Sequence, residues 1–439
     1  MRVVLISTYE LGRQPFGLAS PAAWLRARGH DVYTADLAVA LLPPRVVREA
    51  DCVAFYLPMH TATRMAAPLI EQVRERNPRV RVIAYGLYAP LNEAYLHGLG
   101  VSVVIGGEFE AALVEAVEHG AQAAVTSLER LAFQVPDRST LPDLSRYAAL
   151  CIDGEKRVVG YTEASRGCKH LCRHCPVVPV YGGAFRVVPP EIVLADISRQ
   201  AAAGARHITF GDPDFLNGPT HALRLVEAFH QRFPELTYDA TIKVEHLLHH
   251  RDLLPALVRT GCLFVTTAAE STEDAVLEML DKGHTRAGFL EALALARGAG
   301  LALSPTFVPF TPWTTLAGYR DLLHMVLEQG LVDTVAPVQF ALRLLIPSSS
   351  RILELPDVEP LLTGYDRAGL LHRWRHPESA IDELAARVFE LVVSQQKAGT
   401  ARRAIFRLVW ALAHDGMPPE NFDLLPRAAV PYLDEPWYC

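Results

Sequence analysis

Short apolar runs separated by helical patterns recur along most of this chain, and that alternation limits the folds open to it more than any other feature. In the first 120 residues the runs are Val3-Val4-Leu5-Ile6, Val32-Tyr33-Thr34-Ala35, Val53-Ala54-Phe55-Tyr56-Leu57, Val82-Ile83-Ala84-Tyr85 and Val101-Ser102-Val103-Val104-Ile105. Strands that alternate with helices form a parallel sheet. Near-continuous apolar strands must be covered on both faces. Residues 1–120 are therefore expected to form a doubly wound, flavodoxin-like α/β domain with its ligand edge at the carboxyl ends of the strands. Residues 121–159, punctuated by Pro136 and Pro142, are expected to be a linker strapped over the surface.

A second βα series follows, with strands expected near 160–165, 207–211, 236–244, 263–269, 303–307 and 334–342. Six such units are too few for an eight-fold barrel and suit an open partial barrel over 160–348. Ser271, with Asp274 three residues on, is expected to open a capping box. Past Pro347, periodic stretches such as 385–394 and 405–413 indicate a helical cap over 349–439.

A formal charge of −7, from 42 basic and 49 acidic side chains, gives no general attraction for polyphosphate, so no nucleic-acid partner is expected. The charge-free stretch 300–319 carries Pro305, Pro309 and Pro312, which a bilayer-spanning helix tolerates poorly, and Met1-Arg2 leads directly into a strand pattern. No membrane association and a cytoplasmic address are expected. Three of the seven cysteines lie between 168 and 175, which suits a metal site in a reducing compartment better than a disulfide framework.

Those three, Cys168, Cys172 and Cys175, follow the first strand of the second series in the pattern C-x3-C-x2-C. Three thiolates on one short loop can hold three irons of a [4Fe-4S] cubane and leave the fourth open. The competing chemistry is a zinc-stabilised, non-enzymatic binding module with His170 or His174 as a fourth ligand.

The loop Ser165 to Pro176 resembles that of the radical S-adenosylmethionine (SAM) superfamily. The resemblance implies a (β/α)6 partial barrel, SAM bound at the open iron, and one-electron cleavage of its sulfonium to a 5′-deoxyadenosyl radical. It also implies an electron donor such as flavodoxin or ferredoxin. Asp212 and Asp214, in Gly211-Asp212-Pro213-Asp214-Phe215, stand where the family often has Gly-Gly-Glu on the methionyl amine. Asp214 and Asp212 could otherwise form an Asx turn. Lys243 and Glu245, at the end of the third strand of the series, are either cofactor contacts or surface charges. Glu270, in Thr266-Thr267-Ala268-Ala269-Glu270-Ser271, resembles the family's ribose-binding glutamate. Arg343 could clamp a carboxylate or make a surface salt bridge, and Arg166 and Lys169 could offset cluster charge.

A flavodoxin-like domain directly before such a barrel resembles the cobalamin (B12)-dependent branch of the superfamily. Gly106 and Gly107, after the fifth strand, stand where that branch lets backbone approach the cobalamin nucleotide tail. Its Asp-x-His-x-x-Gly motif is absent after the first strand, so no histidine there ligates cobalt. Tyr9, Leu57, His60 and Thr61 are expected to line the cofactor face.

The carboxyl end, Glu435-Pro436-Trp437-Tyr438-Cys439, carries a terminal thiol. With Ser165 to Pro176 and the following Val177 to Gly183, it resembles the radical SAM family named for a Cys-Cys-Ala-Glu-Pro or Cys-selenocysteine-Ala-Glu-Pro tail. On that resemblance Cys439 is an expected catalytic redox thiol, and a chain ending at a selenocysteine codon is expected. The reaction expected is cobalamin-dependent methyl transfer to an unactivated centre of a small metabolite or peptide. The alternative is a radical rearrangement, oxidation or cyclisation without methyl transfer.

Overall fold

The computed structural model describes residues 1–120, 125–152, 154–419, 422 and 431–434. Along β1 (Arg2–Ser7), Val3 and Leu5 point into one buried cluster and Val4 and Ile6 into another, the signature of a strand covered on both faces. β2 (Asp31–Asp36), β3 (Cys52–Tyr56), β4 (Arg81–Tyr85), β5 (Val103–Gly107) and β6 (Val125–Ser127) complete a parallel sheet in the order β2-β1-β3-β4-β5-β6. The strand order reverses between β1 and β3, which places the crevice for ligands at their carboxyl ends.

The expected linker contributes to both sheets. β6 extends the first one, because Gly107 adopts φ +70° and lets β5 approach the Ser127 carbonyl. β7 (Ala149–Ile152) pairs antiparallel with β8 (Glu155–Thr162), which opens the second sheet. Between them Arg138 ties the connection down. It donates to Asp196 at 2.8 Å, to the Gln14 side chain at 2.8 Å and to the Tyr161 carbonyl at 2.6 Å.

A small antiparallel pair follows, β9 (Ser165–Gly167) with β10 (Phe185–Val187). β11 (His207–Phe210), β12 (Thr237–Thr241), β13 (Cys262–Glu270) and β14 (Ala302–Phe307) then run parallel to β8 in the order β14-β13-β12-β11-β8. The curled sheet is a partial barrel, with five parallel strands. The sixth strand expected over 334–342 does not form. Pro337 opens a 3₁₀ turn to Phe340, and the buried Gln339 side chain accepts the Phe307 amide at 3.0 Å in place of a ladder bond. Only a bridge between Phe310 and Arg343 remains.

The capping box also differs from expectation. Ser271 Oγ accepts the Glu273 amide at 3.1 Å in a turn, and the helix Asp274–Met279 starts after Glu273. The carboxyl-terminal region begins with a hairpin, β15 (Leu362–Asp366) and β16 (Leu371–Trp374), whose turn is closed by Asp366 accepting the Ala368 and Gly369 amides. Helices Ser379–Lys397 and Arg402–Ala413 follow and pack on the barrel core. Among the described residues no helix is long and apolar enough to cross a membrane. Cys439 lies outside the described residues.

Candidate active site

The cysteine loop leaves the carboxyl end of β8 and is held from several sides. Asn217 Oδ1 accepts the Lys169 amide at 3.1 Å and lies 3.8 Å from Cys168 Sγ. The Arg173 amide donates to the Leu280 carbonyl at 3.0 Å. The short helix Val178–Tyr181 that follows buries Val180 and Tyr181 in the same cluster as Leu57, Tyr88 and Leu91 of the first domain. The first domain thus supports the loop from below.

Cys168 and Cys172 are buried and Cys175 is half-buried. Burial first, and then the neighbouring thiols, push the Cys175 thiol up to about 12. A cationic iron cluster supplies the countercharge such thiolates require. Three thiols on one short loop are the donor set of a cubane with one iron left open.

Glu270 ends β13 with φ +63°, turning its carboxylate back over the loop. His174 Nε2 is 3.1 Å and Lys282 Nζ 3.2 Å from its Oε1. Burial alone would raise its pKa, but Lys282 and His174 outweigh that and hold the carboxyl well below its usual range. A glutamate ionised under all working conditions is a ready acceptor for hydroxyl groups.

Asp212 is committed to the loop. Ser165 Oγ donates to it at 2.5 Å and the Ala164 amide at 3.0 Å, while burial pushes its pKa up to about 7. Asp214 Oδ1 accepts the Leu216 amide at 3.3 Å, the Asx turn foreseen as its alternative, and Oδ2 faces His246 and His170. Lys243 Nζ is 3.3 Å from Glu245 Oε2, and that oxygen is 3.4 Å from His170 Nδ1. Asp214, His246, His170, Glu245 and Lys243 thus form one patch beside the cysteine loop.

Arg343 does not stand free for a carboxylate. It donates to Asp382 at 2.6 Å and to the Trp374 carbonyl at 2.7 Å, and stacks 3.6 Å over the Trp374 ring. The pair lines a cavity of about 490 Å³ between the barrel, the helix Ser379–Lys397 and the carboxyl edge of the first domain. Tyr9, His60 and Thr61 line it from the first domain, while Leu57 is fully buried in the core instead. His60 Nε2 is 2.6 Å from the Gly369 carbonyl, so this ring nitrogen is taken.

Gly106 and Gly107 are required by internal contacts. A Cβ at Gly106 would come within 2.6 Å of Pro90, and one at Gly107 within 2.2 Å of the Ser127 carbonyl. Gly107 also lines a smaller cavity of about 190 Å³, with Glu10, Tyr56, Tyr161 and Arg166. Arg166 does not offset cluster charge. Its guanidinium meets Glu110 at 2.6 Å, Glu163 at 2.7 Å and Glu108 at 3.4 Å, clasping the two domains together. Lys169 sits 4.8 Å from the Phe185 ring centroid.

Sequence reasoning missed Lys282, Asn217 and His246. Lys282 is twelve residues beyond Glu270 and reaches it only because the helix Asp274–Met279 folds back, so no spacing signal exists for it.

Residues 162–315 match the model of the Radical SAM superfamily. A methylthiotransferase-type protein of Methanocaldococcus jannaschii is 22% identical over 416 residues, covering 89% of this chain and 87% of its own. Among solved structures, the cobalamin-dependent SAM radical enzyme OxsB with aqua-cobalamin bound superposes with a TM-score of 0.70 at 13% identity, covering 96% of this chain and 74% of that one. The radical SAM methyltransferase TsrM from Kitasatospora setae does so with a TM-score of 0.56 at 16% identity, covering 75% and 70%. The fold of both is shared here. A domain of the matched kind carries a [4Fe-4S] cluster and SAM, and the cysteine loop fits the former. With the cysteine loop at the mouth of a partial barrel and the family match lying over that barrel, residues 162–315 are a radical SAM domain and the chain is an enzyme.

Proposed function

We propose that the chain binds SAM at the barrel mouth and performs cobalamin-dependent methyl transfer to an unactivated centre of a small metabolite or peptide. The observation that carries this reading is the cavity of about 490 Å³ that joins the carboxyl edge of the first domain to the barrel and the carboxyl-terminal helices. When bound, the cluster and SAM supply one-electron cleavage of a sulfonium, and cobalamin supplies a carried methyl group. Cys168, Cys172 and Cys175 would hold the cluster, Glu270 the ribose hydroxyls, and Lys243 with Asp214 the methionyl end. Tyr9 and Leu11 would face the corrin from the β1 loop, where no imidazole stands. Asp212 braces the start of the loop. The Arg343–Asp382 pair presents both charges to the cavity and suits a polar or zwitterionic substrate. An electron donor such as flavodoxin or ferredoxin completes the reading.

The test is anaerobic reconstitution followed by reduction with SAM and hydroxocobalamin. Expected outcomes are broad visible absorption, sulfonium cleavage, and retention of cobalamin through desalting. Cys172→Ala should abolish the cluster. Failure to retain cobalamin removes methyl transfer and leaves radical rearrangement, oxidation or cyclisation. That second reading is favoured by Gly106 and Gly107 being spent on internal packing. The redox role expected of Cys439 is tested apart: Cys439→Ser should lower product formation without changing cluster content.

A further inference from the structure

Beside the cysteine loop, three side chains from three separate elements converge: His170 from the loop itself, Asp214 from the turn after β11, and His246 from the helix Val244–His249. One donor atom from each lies within 4.8 Å of the other two, and among the described residues no other trio of histidine, cysteine and carboxylate does so. Asp214 Oδ2 is 2.6 Å from His246 Nδ1 and 3.8 Å from His170 Nε2, while the 3.2 Å approach of the two imidazoles runs through the other ring nitrogen of His246, Nε2. A single ion would therefore take Asp214 Oδ2, His170 Nε2 and one nitrogen of His246, the set that lies within 4.8 Å.

A second observation concerns how these atoms are left. The Asp214 side chain is fully buried and that of His246 nearly so, at 0% and 11% exposure. Both Asp214 Oδ2 and His246 Nδ1 lack a hydrogen-bond partner, despite lying 2.6 Å from each other. A buried carboxylate oxygen and a buried imidazole nitrogen held in contact without an aligned proton cost free energy that a shared cation would remove. The flanking groups are arranged as for a ligand set. Glu245 Oε2 lies 3.4 Å from the far nitrogen of His170 and itself meets Lys243 at 3.3 Å, while Asp214 Oδ1 is fixed by the Leu216 amide. A metal-bound histidine commonly donates its second N–H to a carboxylate in this manner.

We propose that His170, Asp214 and His246 form a mononuclear site for a divalent first-row transition ion of the zinc type, distinct from the cysteine cluster. Two imidazoles and one carboxylate satisfy three positions and leave at least one for water or for an oxygen or nitrogen of a bound molecule. The site needs no SAM chemistry and its test reads zinc alone, but it claims Asp214, so of the residues given above to the methionyl end only Lys243 would remain.

The test uses the full chain with its cluster reconstituted, then exposed to one equivalent of Zn²⁺ and desalted. Expected are one zinc per chain by elemental analysis and a zinc-edge X-ray absorption spectrum with only nitrogen and oxygen scatterers near about 2.0–2.1 Å. His246→Gln and Asp214→Asn should each lower retained zinc at least tenfold while sulfide content and cluster absorption stay unchanged. Asn at 214 keeps the acceptor for the Leu216 amide, so this variant spares the turn. Zinc at background level in the wild type, or a sulfur scatterer near about 2.3 Å, which would place the ion on the cysteines, overturns the proposal. So does zinc retention unaffected by either substitution in protein that keeps its cluster.

Discussion

At the scale of single residues, buried charges dominate. Asp36, at the end of β2, is buried, and its pKa is pushed up to about 6 chiefly by burial. A carboxyl whose folded pKa exceeds the unfolded value contributes stability at low pH that is lost as pH rises from about 4 to about 6. Asp36→Asn is therefore expected to be more stable than wild type at pH 7 by up to about 3 kcal/mol, with the gap closing as the pH is lowered toward 4. Denaturant titrations across that range check it. The Glu270–Lys282 pair is the opposite case, two charges that neutralise one another at 8% and 4% side-chain exposure. Lys282→Met should cost about 3–5 kcal/mol by stranding Glu270, and the double variant with Glu270→Gln should recover much of it, measured as a double-mutant cycle.

At the scale of elements, the decisive positions are where backbone meets backbone. Gly107→Ala places a Cβ 2.2 Å from the Ser127 carbonyl in a left-handed conformation, so β6 must leave the edge of β5. A loss of about 2 kcal/mol or more is expected, with faster amide exchange confined first to 125–127. The elements that were legible in the sequence are those with strong apolar periodicity: β1 to β5 of the first sheet and β8 with β11 to β14 of the second. Those that were not are β6, β7 and the 3₁₀ turn at Pro337. Each of these is decided by a partner distant in the chain or by a side chain that replaces a ladder bond, and neither leaves a local pattern.

At the scale of the whole molecule, Arg166 joins the domains. Three carboxylates, two from the first domain and one from the approach to the cysteine loop, share its guanidinium, and Arg166 holds Glu110 ionised below its usual range although burial alone would raise it. Arg166→Met should uncouple the two units, splitting one calorimetric transition into two. Arg166→Lys should rescue little, because an ammonium cannot make the bidentate contact to Glu110. The same clasp ties the first domain to Glu163 and Arg166 at the start of the cysteine loop, so cluster content in the methionine variant should fall as well.

The residues alone determined that two βα series follow one another and that three thiols stand at ligand spacing on a loop after the first strand of the second series. Both are local properties: the period of apolar side chains and the spacing of ligands on a few residues of chain. The tertiary structure alone decided that Lys282 neutralises Glu270, that Arg166 serves the domain interface, and that His170, Asp214 and His246 meet. Each of these depends on loops from different strands converging at the barrel mouth. Sequence separation carries no information about such contacts until the sheet has curled.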